Sequence, residues 1–152
     1  NNALAFGIKN LEKCFEGINQ SDVEKITHIC CGYPDKIDAE NYPKAPLDSY
    51  TKIAKALDSS KIDSVSLEDA HRYNDLSLLK NYKNTKIIFG VIKIASSKIE
   101  TVEEIESRIK ETLKFISKEQ LIAAPDCGLG HLNRELAIKK LKIMSLAAKK
   151  FK

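Results

Sequence analysis

The sequence predicts an α/β protein built on a parallel sheet. Two observations carry that expectation. Four short runs rich in β-branched and apolar residues, at 25–31, 62–68, 86–92 and 121–127, read as strands. Between them lie stretches of helical period at 3–18, 47–57, 102–116 and 132–151, with a shorter one at 76–82. Strands that alternate with amphipathic helices pair in parallel, and the near-continuous Ile87-Ile88-Phe89 suggests a strand covered on both faces.

Each element has its own justification. The segment 32–45, with Pro34, Pro43 and two tyrosines and with Pro46 following, predicts a loop above the carboxyl edge of the sheet that can serve as a lid. Thr101 supplies an N-cap hydroxyl and Glu104 its capping-box partner. Beyond them Ile105, Ile109, Thr112, Leu113 and Ile116 recur at three- and four-residue spacing and form the packed face. In the last helix Leu136, Leu141, Met144 and Ala148 are the candidate buried positions.

Composition narrows the function. The net charge of +4 comes from lysines spread through every segment, with three arginines (Arg72, Arg108, Arg134) and no aromatic-basic stripe, so no nucleic-acid partner is expected. No run of 18 apolar residues occurs, and Asn1-Asn2-Ala3 has no signal-peptide pattern, so a cytoplasmic protein with no membrane partner is expected. The four cysteines, Cys14, Cys30, Cys31 and Cys127, are too few and too unevenly spaced for a disulfide framework and raise the question of a metal.

His28 and Cys30 are two residues apart on a strand, so both point to one face. Cys31 points to the other and, like Cys14, reads as a small buried hydrophobe. Alone, His-x-Cys is a weak signal. Cys127 at a second strand end, with Gly128 and Gly130 for a tight turn, and Glu68 at a third change its weight. Three strand ends then offer one nitrogen, two thiolates and one carboxylate, a donor set that zinc accepts in tetrahedral geometry. His71 and Asp126 are candidate substrate-binding residues beside it; Arg72, Asp35 and Tyr33 are weaker ones, and His131 reads as a surface or cap residue.

These residues resemble the zinc-binding half of the catalytic barrel of the cobalamin-independent methionine synthase family. The resemblance runs through Thr27-His28-Ile29-Cys30, Val65-Ser66-Leu67-Glu68, Gly90-Val91, Val102-Glu103 and, most specifically, Pro125-Asp126-Cys127-Gly128-Leu129. It implies zinc on His28, Cys30, Glu68 and Cys127, and a metal that activates a thiol, homocysteine, for methyl transfer in methionine biosynthesis. The implied fold is the carboxyl-terminal half, about four βα units, of a (β/α)8 TIM-type barrel. Residues 1–152 then form one partial-barrel domain, either a fragment of a longer chain or half of a barrel paired in a homodimer, and alone it is expected to bind zinc without turnover. Lys93 and Ala95 depart from the resemblance, standing where folate-dependent members carry aspartate and histidine, and the 32–45 loop is longer. The methyl donor therefore stays open, as do alkyl transfer to another thiol such as a coenzyme M-like acceptor and a structural-zinc assembly module.

Overall fold

The structure, a computed structural model, describes residues 2–19 and 22–151. Helix α1 (Asn2–Cys14) leads into strand β1 (Ile26–Ile29), then α2 (Ser49–Asp58), β2 (Ser64–Leu67), β3 (Lys86–Ile92), α3 (Val102–Thr112), β4 (Leu121–Pro125) and α4 (Arg134–Lys149). Short 3-10 helices at Leu76–Asn81 and Lys118–Gln120 complete the described elements. The predicted 76–82 helix is thus of the tighter kind. The first helix ends four residues before the predicted boundary, at a turn in which Gly17 takes φ +80°. Among the described residues no helix is long and apolar enough to cross a membrane.

The four strands form one parallel sheet in the order β1-β2-β3-β4. Its two faces differ. Val65, Leu67, Ile87 and Phe89, none more than 1% exposed, point toward the helices and pack with Ala54 and Leu57 of α2, Ile105 and Ile109 of α3 and Ala147 of α4. The opposite face carries His28, Ser66, Ile88 and Ile122 in register, and Ile26 and Ile122 are 47% and 41% exposed there. β3 is therefore covered on one side by this chain's helices, not on both as its composition suggests. Ile88 belongs to the open side.

The capping box at Thr101 is present in full: Thr101 Oγ1 accepts from the Glu104 N–H at 3.1 Å and Glu104 accepts from the Thr101 N–H at 2.8 Å. Ile105, Ile109, Thr112 and Ile116 are buried and Leu113 partly so. Two side-chain expectations fail. Cys14 is exposed because Ile8, Leu11 and Phe15 take the packed stripe of that segment, leaving Cys14 one position off it. In α4 the fully buried positions are Lys140 and Ala147; of the expected ones Met144 packs partly buried against the core, Leu136 and Ala148 are half-buried, and Leu141 is 37% exposed. The stripe runs one residue earlier than hydrophobicity suggests because the Lys140 ammonium is satisfied inside, by Lys98 O at 2.5 Å and the two Glu100 oxygens at 3.1 and 2.9 Å.

Candidate metal centre

The carboxyl ends of the strands bring four side chains together. His28 lies in β1 on the open face, Cys30 follows one residue after that strand, Glu68 is the first residue past β2, and Cys127 stands two residues past β4. Their ligand atoms all lie within 4.8 Å of one another. His28 Nε2 is 2.9 Å from Cys127 Sγ, and Cys30 Sγ donates to Glu68 Oε1 at 3.1 Å. Zinc in tetrahedral geometry, with bonds of about 2.0 to 2.3 Å, separates its ligand atoms by roughly 3.3 to 3.8 Å. The cluster brackets that spacing, and one imidazole, two sulfurs and one carboxylate are a donor set of zinc type, so the residues fit the metal.

The polar groups around the cluster act on its orientation. His28 Nδ1 is 2.9 Å from Ser66 Oγ, and in the tautomer protonated at Nδ1 it donates there and leaves the Nε2 lone pair facing the cluster. Burial of the sulfur, then its bond to Glu68, push the Cys30 thiol up to about 12, with the Gly32 N–H opposing. Burial also raises Cys127. Both thiols are therefore protonated in the metal-free protein, and metal has to displace those protons. Gly32 is required here for its shape, since it takes φ +100° and a Cβ would stand 2.8 Å from Pro43 O. Gly128 and Gly130, expected to provide the tight approach, have no atom within 4 Å of where a Cβ would be, and neither takes positive φ. Close approach is instead at Gly90, where a Cβ would meet Asp126.

The Glu68 backbone is held on every side. Its N–H donates to Tyr50 Oη at 3.2 Å, and that hydroxyl donates to Ile29 O at 2.9 Å, tying the ends of β1 and β2 together. Its carbonyl accepts from Asn74 Nδ2 at 2.7 Å. The next three N–H groups, of Asp69, Ala70 and His71, donate to the Asp126 carboxylate at 2.8, 2.8 and 2.7 Å. Asp69 in turn receives Arg108 through two nitrogens, at 2.6 and 2.8 Å. The sequence signals Asp126 through its place beside Cys127, whereas nothing in it marks Tyr50, Asn74 or Arg108 as supports of the cluster.

Both predicted substrate residues spend polar atoms on backbone, the Asp126 carboxylate on the three N–H groups above and His71 Nε2 on two others. Asp126 is fully buried, and burial raises its carboxyl to about 6 against the pull of its three N–H donors. His71 Nε2 accepts from the N–H groups of Ile94 and Ala95 at 3.0 and 3.2 Å. Burial, then the charges of Lys44, Lys93 and Lys140, lower it to about 4, so it is neutral. Arg72 donates to Ala45 O at 2.7 Å. In the 32–45 loop the Tyr33 ring packs edge-on against His131 at 5.3 Å between centroids, and the cap of α4 is Asn133. That loop also reaches across to the β3–α3 connection, where the Asp38 N–H donates to Ala95 O at 2.9 Å and Asp38 Oδ1 accepts from the Ser97 N–H at 2.7 Å. Cys31 is half-buried against the core and its N–H donates to Glu68 Oε2 at 2.9 Å.

The chain is similar in sequence and in fold to known proteins. The family profile described as cobalamin-independent synthase, catalytic domain, matches residues 19–150. The methionine synthase of Pyrococcus furiosus is 34% identical over 102 residues, covering 66% of this chain and 30% of that protein. That of Saccharolobus islandicus is 29% identical over 143 residues, covering 93% of this chain and 37% of that protein. The structure of a B12-independent methionine synthase from Shewanella sp. W3-18-1, in complex with selenomethionine, superposes with a TM-score of 0.83 at 29% identity and covers 97% of this chain and 43% of that one. The chain thus spans about a third of the length of these curated relatives. By the extent of the profile match, it belongs to the cobalamin-independent methionine synthase family, in the region of the catalytic domain.

Proposed function

We propose that this chain carries the zinc site of a methyl transfer to a thiol, with homocysteine as acceptor and methionine as product. The supporting observation is the meeting of His28, Cys30, Glu68 and Cys127 within 4.8 Å at the carboxyl edge of a parallel sheet, in a chain whose relatives are named methionine synthases. When bound, zinc would hold a thiol substrate as a nucleophilic thiolate at neutral pH, where a free thiol is mostly protonated. The protein's part is to supply the charge and the vacancy. Cys30 and Cys127 as thiolates and Glu68 as carboxylate bring three negative charges, which offset those of the ion and keep a bound sulfur reactive. Glu68 is the exchangeable member, because oxygen is the poorest match to a thiolate-rich set. Asp126 and His71 serve the substrate side through the loops they hold.

The open face of the sheet is then the inner wall of a (β/α)8 barrel, closed by strands from outside the described residues or by a second copy of the chain. A stable monomeric mass in solution would exclude the paired form. The donor is a separate matter. Ala95 is only 2% exposed and its N–H is spent on His71, so the position where folate-dependent members carry histidine offers no acid here. The methyl donor therefore stays open, and the second reading, alkyl transfer to another thiol such as a coenzyme M-like acceptor, is separated from the first by product analysis with candidate thiols.

X-ray absorption of zinc-loaded protein with and without homocysteine tests the proposal. One zinc per chain and one added sulfur scatterer are expected. An unchanged ligand shell would reduce the site to a structural one.

A further inference from the structure

Glu68 faces two ways. Beside the metal cluster it meets Cys30, and on another side it lines a cavity of about 10 Å³ together with Cys31, Lys44, Tyr50, His71, Arg72 and Asn74, into which none of the other three cluster residues enters. That volume is about the room one water needs. The Glu68 backbone cannot carry the carboxylate anywhere, being pinned by Tyr50, Asn74 and the Asp126 clamp. Exchange of this carboxylate is therefore a side-chain rotation. The Cys31 N–H, which holds Oε2 at 2.9 Å, belongs to a residue that also lines the cavity, so it sits where a pivot would be.

The cavity is lined by a lysine with donors to spare. Lys44 Nζ rests over the Tyr42 ring, 4.6 Å from its centroid, and among the described residues it makes no ion pair. An ammonium has three N–H donors. Its place is fixed by the loop that carries it: the Ala45 N–H donates to Cys31 O at 2.9 Å, and Arg72 binds Ala45 O from the other side. Burial and the nearby Arg72 charge lower the Lys44 pKa, while Asp126 and Glu68 pull it back up, so the cation stands among the charges of this site. A carboxylate turned out of the ligand set by an incoming thiolate adds an uncompensated negative charge to a half-buried site, which is costly without a partner.

Resting on the zinc reading above, we propose that the cavity is a second berth for the Glu68 carboxylate, and that Lys44 is the positioning residue that receives it when a thiol takes its place. Lys44 thereby sets how readily the site accepts a thiol without itself touching the metal or the substrate.

The test compares the zinc-loaded full chain with Lys44→Met and Lys44→Arg, by zinc content and by X-ray absorption during titration with homocysteine and, separately, with 2-mercaptoethanol. Lys44→Met is expected to keep its zinc and the resting four-ligand shell, and to need about tenfold more of either thiol to exchange oxygen for sulfur. Lys44→Arg is expected to restore the wild-type titration. Wild-type exchange with an equally ready Lys44→Met overturns the berth and leaves the zinc reading intact. Loss confined to homocysteine assigns Lys44 to the substrate's carboxylate and also overturns it. Absence of exchange in the wild-type protein removes both proposals together. Loss of zinc from Lys44→Met, unrepaired in Lys44→Arg, shows a merely structural lysine and overturns the berth alone.

Discussion

Gly90 and Asp126 occupy one space: a Cβ on Gly90 would lie 2.0 Å from Asp126 Oδ1 and 2.9 Å from its Cα. The register between β3 and β4 shifts just there, between Gly90 and Ile92, and the Asp126 N–H donates to Ile92 O at 3.0 Å. The absence of a side chain at position 90 is thus what lets the carboxylate reach the three N–H groups after Glu68. Gly90→Ala is expected to drive Asp126 off that clamp and to cost about 2 to 4 kcal/mol, through overpacking and unsatisfied buried donors. Urea denaturation measures the loss, and zinc affinity should fall with it.

The proposed metal site has a pH signature. Both thiols are raised above their ordinary range in the metal-free protein, Cys30 to about 12. Zinc has to expel both protons, so its apparent affinity should rise between pH 6 and 8 by on the order of 100-fold per unit. Competition against a chelator of known affinity reads this directly. Cys127→Ala should reduce the slope to about one proton and lower the affinity at pH 7 by at least ~100-fold.

His71 gives stability its own pH dependence. Its folded pKa of about 4 lies below the ordinary 6.5, so the unfolded chain binds more protons between those values. The contribution is complete above pH 6.5 and is lost as pH falls through the window toward 4. His71→Gln keeps an acceptor for the Ile94 and Ala95 N–H groups but cannot titrate. Relative to that variant the wild type should lose about 1 to 2 kcal/mol between pH 7 and 4, allowing for partial exposure of the ring. Parallel stability curves for the two proteins would refute this.

Lys140 and Glu100 make a buried pair that also takes the Lys93 N–H, at 2.9 Å from Glu100 Oε1. Lys140→Met alone leaves a carboxylate without its cation and should cost about 3 to 5 kcal/mol. Adding Glu100→Gln should return at least half of that. A double variant no more stable than the single one would mean that the pair is incidental to the loss.

The α/β pattern was legible because strand and helix periods are local. Val65, Ile87 and Ile105 show their burial in their neighbours' spacing. His28, Cys30, Glu68 and Cys127 could be grouped because residue type and strand-end position agree, and the structure brings their ligand atoms together. What escaped was set by contacts distant in sequence. Lys140 looks like a wet position until Glu100, 40 residues earlier, is placed beside it. Tyr50 reads as an ordinary helix residue until its hydroxyl is seen between Ile29 and Glu68. Gly128 and Gly130 attract attention by adjacency to Cys127, yet the glycine whose missing Cβ matters lies on a neighbouring strand.

The burial of Lys140 also gives the protein a built-in chemical reporter. An amine-acylating reagent reaches exposed lysines freely, whereas Lys140, with no exposed surface, is reached only when the connection between β3 and α3 comes away from α4. The rate at which this lysine is acylated, read by mass spectrometry against the exposed Lys110, therefore reports the fraction of time that the segment carrying Lys93 and Ala95 stands open.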